Sequence, residues 1–120
     1  MNNSKSKTVH TMIGPDAIIK GPIKLEQGLI IYGKIYGDIV TNGQVRVVKN
    51  GLVDGNIIGS NIHIGGTVNG NIKSSNQVIL KKSCILKGDI SYRKLHIEDG
   101  AQFEGQCDLV VGMKLESASD

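Results

Sequence analysis

The sequence predicts an all-β protein, a right-handed three-sided parallel β-helix (β-solenoid) of about six coils. Two observations lead to this fold class. A glycine-centred motif occurs six times with a period near 17 residues, and the positions two before and two after the central glycine are always apolar. A repeat of this length cannot bury its own apolar side chains, so neighbouring copies must stack and pair their strands.

The repeated motif is clearest in three copies, GKIYGDI at 33–39, GLVDGNI at 51–57 and GTVNGNI at 66–72. With the looser copies, the central glycines are Gly21, Gly37, Gly55, Gly70, Gly88 and Gly105. The spacings between them are 16, 18, 15, 18 and 17 residues. Left-handed β-helices follow a strict hexapeptide pattern, so spacings that vary this much favour a right-handed helix with roughly triangular coils.

Alternation around the central glycine predicts short strands with one buried face. The inward positions are Ile19, Ile35, Val53, Val68, Leu86 and Phe103 before the glycine, and Ile23, Ile39, Ile57, Ile72, Ile90 and Cys107 after it. A tight corner four residues before the glycine holds the small residues Ala17, Gly33, Gly51, Gly66, Cys84 and Ala101. A further apolar pair follows in each coil: Leu29/Ile31, Val45/Val47, Ile62/Ile64, Val78/Leu80, Leu95/Ile97 and, at the end, Leu109/Val111.

The repeats divide the chain into a flexible N-terminal arm at 1–15, a β-helix domain at 16–111 and a flexible C-terminal tail at 112–120. One interpretation of the arm is a solvated tail. The other is attachment to an anionic membrane surface, which the many copies in a polymer would strengthen. The residues that would make this contact are Lys5, Lys7, Val9, Met12 and Ile13.

Composition argues against several functional classes. The net charge is only +3, the basic residues are scattered among acidic ones, and aromatic residues are few, so the sequence does not favour a nucleic-acid partner. Two cysteines far apart do not make a disulfide framework, and no apolar run is long enough for a membrane-spanning helix. The N-terminus lacks the apolar core of a secretory signal, so a reduced, cytoplasmic location is expected.

The candidate catalytic and ligand motifs are better explained as structure. The stretch 28–34 matches the start of a phosphate-binding P-loop, but Ile35 stands where Ser or Thr must reach Mg²⁺. His63 and His96 point outward two coils apart, too far to share a metal ion. Cys84 and Cys107 occupy apolar or small positions of the coil, so we interpret them as small hydrophobic residues and not as nucleophiles or ligands. We therefore expect no enzyme activity, no cofactor, no metal and no nucleotide.

The two ends of the stack carry the functional prediction, because neither has the polar cap that terminal repeats ordinarily need. An uncapped end exposes unpaired backbone groups and an apolar layer, which is a template for adding another chain. Phe103 is the only Phe and stands where other coils have Ile, Val or Leu; it is either an interface contact or a core residue that fills a wider last coil. The predicted polymerisation interface comprises Ile19 and Ile23 at one end and Phe103, Cys107, Leu109 and Val111 at the other.

The pattern [IV]-x-G-[DN]-I, in six coils over about 18–111 between short polar tails, resembles the bactofilins, polymer-forming bacterial cytoskeletal proteins. The resemblance implies a right-handed three-sided β-helix that assembles end to end into filaments without nucleotide, often attached to the inner face of the membrane by the N-terminal arm. In that family an aromatic residue in the last coil supports polymerisation, and Phe103 is the matching position.

The predicted function is therefore a bacterial cytoskeletal scaffold, membrane-associated, for cell shape or for the placement of cell-wall enzymes. Its expected partners are further copies of itself, the inner-membrane surface, and cell-wall enzymes or other clients. The alternative is a left-handed β-helix enzyme, an acyltransferase or a trimer like carbonic anhydrase with histidines at a subunit interface. A third class is a passive binding scaffold that forms no filaments.

Overall fold

A computed structural model describes residues 11–109 of the 120-residue chain. The described residues form sixteen short strands and no helix. In chain order the strands are β1 (Thr11–Ile13), β2 (Ile18–Lys20), β3 (Ile23–Leu25), β4 (Leu29–Ile31), β5 (Lys34–Tyr36), β6 (Ile39–Thr41), β7 (Val45–Val47), β8 (Leu52–Asp54), β9 (Ile57–Ile64), β10 (Thr67–Asn69), β11 (Ile72–Leu80), β12 (Ile85–Lys87), β13 (Ile90–Tyr92), β14 (Lys94–Ile97), β15 (Gln102–Glu104) and β16 (Cys107–Leu109).

The strands lie in three parallel stacks, one on each side of the coil. The first stack has the order β2, β5, β8, β10, β12, β15. The second has the order β3, β6, the start of β9, the start of β11, β13, β16. The third has the order β1, β4, β7, the end of β9, the end of β11, β14. The prediction of a three-sided parallel β-solenoid of about six coils is confirmed, and its right-handed sense stays a prediction.

The core is a set of aliphatic layers, one per coil. The register aligns Ile35 with Val53 in the first stack and Ile39 with Ile57 in the second, as the repeat predicts. All four side chains are completely buried. Burial of a side chain of this size contributes about 1.5–3 kcal/mol, so the interior layers supply most of the stability.

The central glycines form a column along which neighbouring coils approach most closely. A Cβ atom built on Gly55, Gly70, Gly88 or Gly105 would collide with the carbonyl oxygen of the central glycine one coil earlier. Several of these glycines also have a positive φ, for example 144° at Gly88, which side chains disfavour. Glycine therefore recurs because two backbones meet there.

Two buried hydroxyl groups, which the sequence analysis missed, lie at the ends of strand segments in the second stack. Thr41 Oγ1 donates a hydrogen bond to the Gln27 carbonyl at 2.5 Å, and Ser74 Oγ donates to the Ser60 carbonyl at 2.6 Å. Each hydroxyl thus satisfies a corner carbonyl of the preceding coil. The available signal was the small residue four positions after the central glycine in the middle coils.

Two boundaries differ from the sequence prediction. Strand β1 lies inside the stretch predicted as a flexible arm, where it pairs with β4 and adds a third-stack strand before the first complete coil. Its Ile13 is only 7% exposed and belongs to the core. Leu109, predicted as part of a pair with Val111, lies instead in β16 opposite Tyr92 of the second stack. Val111 lies outside the described residues.

We predict that Gly88→Ala lowers the free energy of unfolding by about 1–3 kcal/mol or more. A strained φ costs about this much, and the new methyl group also collides with the Gly70 carbonyl. Urea unfolding followed by circular dichroism at matched protein concentration measures this. Gly14→Ala is the control, because a Cβ atom there meets nothing within 4 Å. Equal stability of the two variants would contradict the role of the glycine column.

Candidate functional site at the ends of the solenoid

Each end of the solenoid presents three edge strands within the described part of the chain. These are β1, β2 and β3 at the N-terminal end and β14, β15 and β16 at the C-terminal end. An edge strand carries a row of backbone N–H and C=O groups directed away from its partner, which can pair with another strand. The fold thus provides two surfaces suited to strand addition.

The C-terminal end layer exposes apolar surface that interior coils bury. Phe103 aligns with Leu86 and packs on the core but is only partly buried, whereas Leu86 is almost fully buried. Cys107 is exposed although it aligns with the fully buried Ile90. Leu109 is 56% exposed. The exposure follows from position, because no described coil lies above this layer.

The N-terminal end layer shows the same contrast. Ile19 and Ile23 align with Ile35 and Ile39, which are completely buried, yet both are only partly buried themselves. Leu25, at the end of β3, is also partly buried. Both ends of the rod therefore present aliphatic side chains in the ladder geometry of the interior.

The described residues of the predicted interface lie at opposite ends of the solenoid, where the sequence analysis placed them. Ile19 and Ile23 lie at one end of the rod, and Phe103, Cys107 and Leu109 lie together in the last coil. The expectation that Cys107 is buried in a ladder is wrong for the single chain, because its layer is the terminal one.

The predicted membrane-binding residues fall into two groups. Lys5, Lys7 and Val9 lie outside the described residues. Met12 and Ile13 lie in β1, where Met12 is 60% exposed and Ile13 is buried. Ile13 was therefore wrongly included among the membrane contacts, because its side chain packs into the core below Ile31.

A ladder of side-chain acceptors links the coils beside the glycine column. The backbone N–H groups of Asn56, Asn71, Asp89 and Gln106 each donate to a side-chain oxygen one coil earlier, at 2.9–3.1 Å. The acceptors are the Oδ1 atoms of Asp38, Asn56, Asn71 and Asp89. The sequence suggested stacked amides at Asn56 and Asn71, and the bonds run instead from backbone to side chain.

The two cysteines differ sharply in environment. Cys84 fills its predicted corner position and is buried, and this burial raises the pKa of its thiol to about 11. Cys107 is exposed; the pKa of its thiol is raised by partial burial and then by the neighbouring Asp108 carboxylate. Neither environment activates a thiolate for nucleophilic chemistry.

The histidines lie as the repeat predicts. His63 stacks between Arg46 and Ile79, and Ile79 separates it from His96. Burial, and then the charges of Arg46 and Lys81, lower the pKa of His63. Among residues 11–109, no group of three or more His, Cys, Asp or Glu side chains is placed to hold a metal ion. The same residues contain no helix that could cross a membrane.

Comparison with known proteins identifies the family. The bactofilin family model, described as polymer-forming cytoskeletal, matches residues 11–108. The chain belongs to the bactofilin family. The matched residues begin at β1, in agreement with the extra strand found before the first complete coil.

Two curated bactofilins are similar in sequence. Bactofilin BacO of Myxococcus xanthus (strain DK1622) is 37% identical over 100 residues, which cover 83% of this chain and 79% of BacO. Bactofilin BacP of the same strain is 29% identical over 107 residues, which cover 89% of this chain and 45% of BacP. The chain thus spans most of BacO but less than half of BacP.

A solved structure is also similar, a cryo-EM reconstruction of Thermus thermophilus bactofilin double helical filaments. It is 28% identical, has a TM-score of 0.78, and is matched over 81% of this chain and 96% of its own. The family and the solenoid that the glycine repeat predicted are thereby confirmed.

We predict that maleimide modifies Cys107 of dilute, unassembled protein at pH 7.5 at least about tenfold faster than Cys84. The exposed terminal layer admits the reagent, whereas burial and a pKa of about 11 keep Cys84 protonated and covered. Mass spectrometry of timed digests measures both rates in one sample, with Cys84 as the internal control. Comparable rates would mean that the last coil does not have the exposure described.

Proposed function

We propose that this bactofilin is a structural protein that polymerises end to end through its two terminal coils. One observation carries the proposal: interior coils bury completely the ladder positions that remain partly exposed at Ile19, Ile23 and Phe103. A second protomer seated on either end would supply the missing layer. The filament form of the similar Thermus bactofilin supports this assignment.

End-to-end contact would repeat the interactions that hold the coils together. The three edge strands at each end would gain backbone partners, and the exposed aliphatic layer would be removed from water. Burying an aliphatic side chain contributes about 1.5–3 kcal/mol, so a few such residues on each side can supply a useful affinity. The many interfaces of a long polymer need not be individually strong.

Phe103 is the residue on which the C-terminal contact depends most in this proposal. It stands in register with Leu86 and Val68, so the last coil replaces an aliphatic side chain with a larger ring. Buried aromatic residues near the centre of an interface often dominate its binding free energy. Cys107 and Leu109 lie in the same terminal coil. Val111 is a further proposed contact.

We further propose that the filament is a non-enzymatic scaffold in the cytoplasm, at the inner face of the membrane, for cell shape or for placing cell-wall enzymes. In this proposal Lys5, Lys7, Val9 and the exposed Met12 contact the anionic lipid surface. The proposed division of the chain is an N-terminal arm that ends before β1, a β-helix domain that extends to residue 111, and a C-terminal tail at 112–120. Repetition along a polymer would convert weak contacts into stable attachment.

We predict that Phe103→Arg abolishes filaments but leaves a β-rich protomer, since a guanidinium buried without a partner costs several kcal/mol at an apolar interface. Negative-stain electron microscopy detects filaments, and circular dichroism tests folding. Gln102→Arg is the matched control, because it adds the same charge to β15 on the outward face and should polymerise normally.

Leu109→Glu provides a second test in case Phe103→Arg disturbs the last coil. Its side chain is already exposed in the protomer, so the substitution should spare folding and still prevent filaments. Normal filaments in both end-layer variants would refute the proposed interface. A discrete trimer of the unaltered protein with bound zinc would instead favour the β-helix enzyme alternative.

We predict that assembly proceeds in EDTA without added nucleotide. The stretch 28–34, which resembles part of a P-loop, spans strand β4, a corner and the first residue of β5, and the following Ile35 is buried in the core. Sedimentation of polymer should change less than about twofold when ATP or GTP is supplied with Mg²⁺. An absolute requirement for either nucleotide would contradict the prediction.

A further inference from the structure

A notch interrupts one corner of the solenoid at the fourth coil. Between the third and first stacks, the third coil has four corner residues (48–51) and the fifth coil also has four (81–84). The corner between them has only Gly65 and Gly66, and the corner at 32–33 is equally short. A cavity of about 290 Å³ lies beside Gly65, between the two longer corners.

The walls of the notch are the longer corners on either side. Lys49 lies on one wall, and Lys81 and Ser83 lie on the other. Ser83 Oγ donates a hydrogen bond to the Gly65 carbonyl at 2.6 Å, which holds the fifth-coil corner over the short one. A Cβ atom built on Gly65 would lie 3.5 Å from the Lys49 backbone nitrogen and 3.6 Å from Ser83 Oγ. Both longer corners therefore approach Gly65, which lines the cavity between them.

The notch is lined by an excess of positive charge. Arg46 and His63, adjacent in register on β7 and β9, enter it from the third stack, and Lys49 and Lys81 enter from the corners. Lys81 has a carboxylate nearby, Glu98, whose Oε2 lies 3.7 Å from Nζ, and both side chains remain partly exposed. Burial, and then the nearby charges of Arg46 and Lys81, lower the pKa of His63.

We propose that this notch, formed by Arg46, Lys49, His63 and Lys81 over Gly65, is a binding site for a phosphate group. A guanidinium offers paired N–H donors to phosphate oxygens, and two ammonium groups supply further charge. Along the third stack Arg46 and His63 are flanked by Ile30 and Ile79, so the pair is not part of a continuous column of basic residues. A compact phosphate therefore fits better than an extended nucleic acid, which needs a continuous basic strip. The inference does not depend on polymerisation.

Isothermal titration calorimetry of the full chain with inorganic phosphate and with pyrophosphate tests the proposal. Arg46→Gln and Lys81→Gln should each weaken binding about tenfold, the effect expected when a charged partner is lost. Lys34→Gln is the matched control, since it removes one charge from an exposed position on the first stack and should change affinity less than about twofold. Circular dichroism verifies that each variant is folded.

A second arm distinguishes free phosphate from a lipid headgroup, using flotation with vesicles of phosphatidic acid in phosphatidylcholine. If phosphate binds in solution and Arg46→Gln weakens this binding, the result supports the site with free phosphate as its ligand. Binding only to the phosphatidic acid vesicles, again lost in Arg46→Gln but kept in Lys34→Gln, supports the site with a lipid ligand. Absence of binding in both arms, or equal effects of Arg46→Gln and Lys34→Gln, overturns the proposal.

Discussion

Backbone pairing between successive coils is the constraint on which the rest of this structure depends. Each strand has only three or four residues in most places, too few to be stable alone, and gains its hydrogen bonds from the coils on either side. The central glycines permit this approach, because a side chain there would meet the carbonyl of the coil below. Among residues 11–109, interior coils have strand partners on both sides, and the two end coils have them on one side only. A repeated fold thereby acquires two distinct surfaces without any special motif.

Much of the fold could be predicted because the same steric and burial requirements act on every coil. Six central glycines and their flanking apolar residues determine the layers, and the register follows the repeat. Features that occur once were missed. Strand β1 has no glycine motif, so Thr11–Ile13 was assigned to the arm, and the pairing of Leu109 with Tyr92 depends on where the last turn falls. The hydroxyl bonds of Thr41 and Ser74 depend on corner carbonyls whose positions a sequence does not specify.

The candidate site at the two ends could be predicted because a stack of repeats must have a first and a last coil. Phe103 was recognised by its difference from the five equivalent residues, but the extent of its exposure required the packing of β15 on β12. The notch, in contrast, could not be predicted from the sequence. The short corner at 65–66 falls within the smallest glycine spacing, 15 residues from Gly55 to Gly70, yet the cavity appears only when the coils are stacked. Variation in corner length thus gives an otherwise regular rod a local surface.

The central claim is that the function of this bactofilin lies in its terminal coils, and hydrogen–deuterium exchange across assembly tests it most directly. Peptides covering β2–β3 and β15–β16 should become markedly more protected when protomers polymerise, while those covering β8 and β10 should change little. The comparison is made between polymerised protein and the same protein diluted below its assembly concentration. Protection that increases on the sides of the rod, with the terminal strands unchanged, would contradict end-to-end assembly.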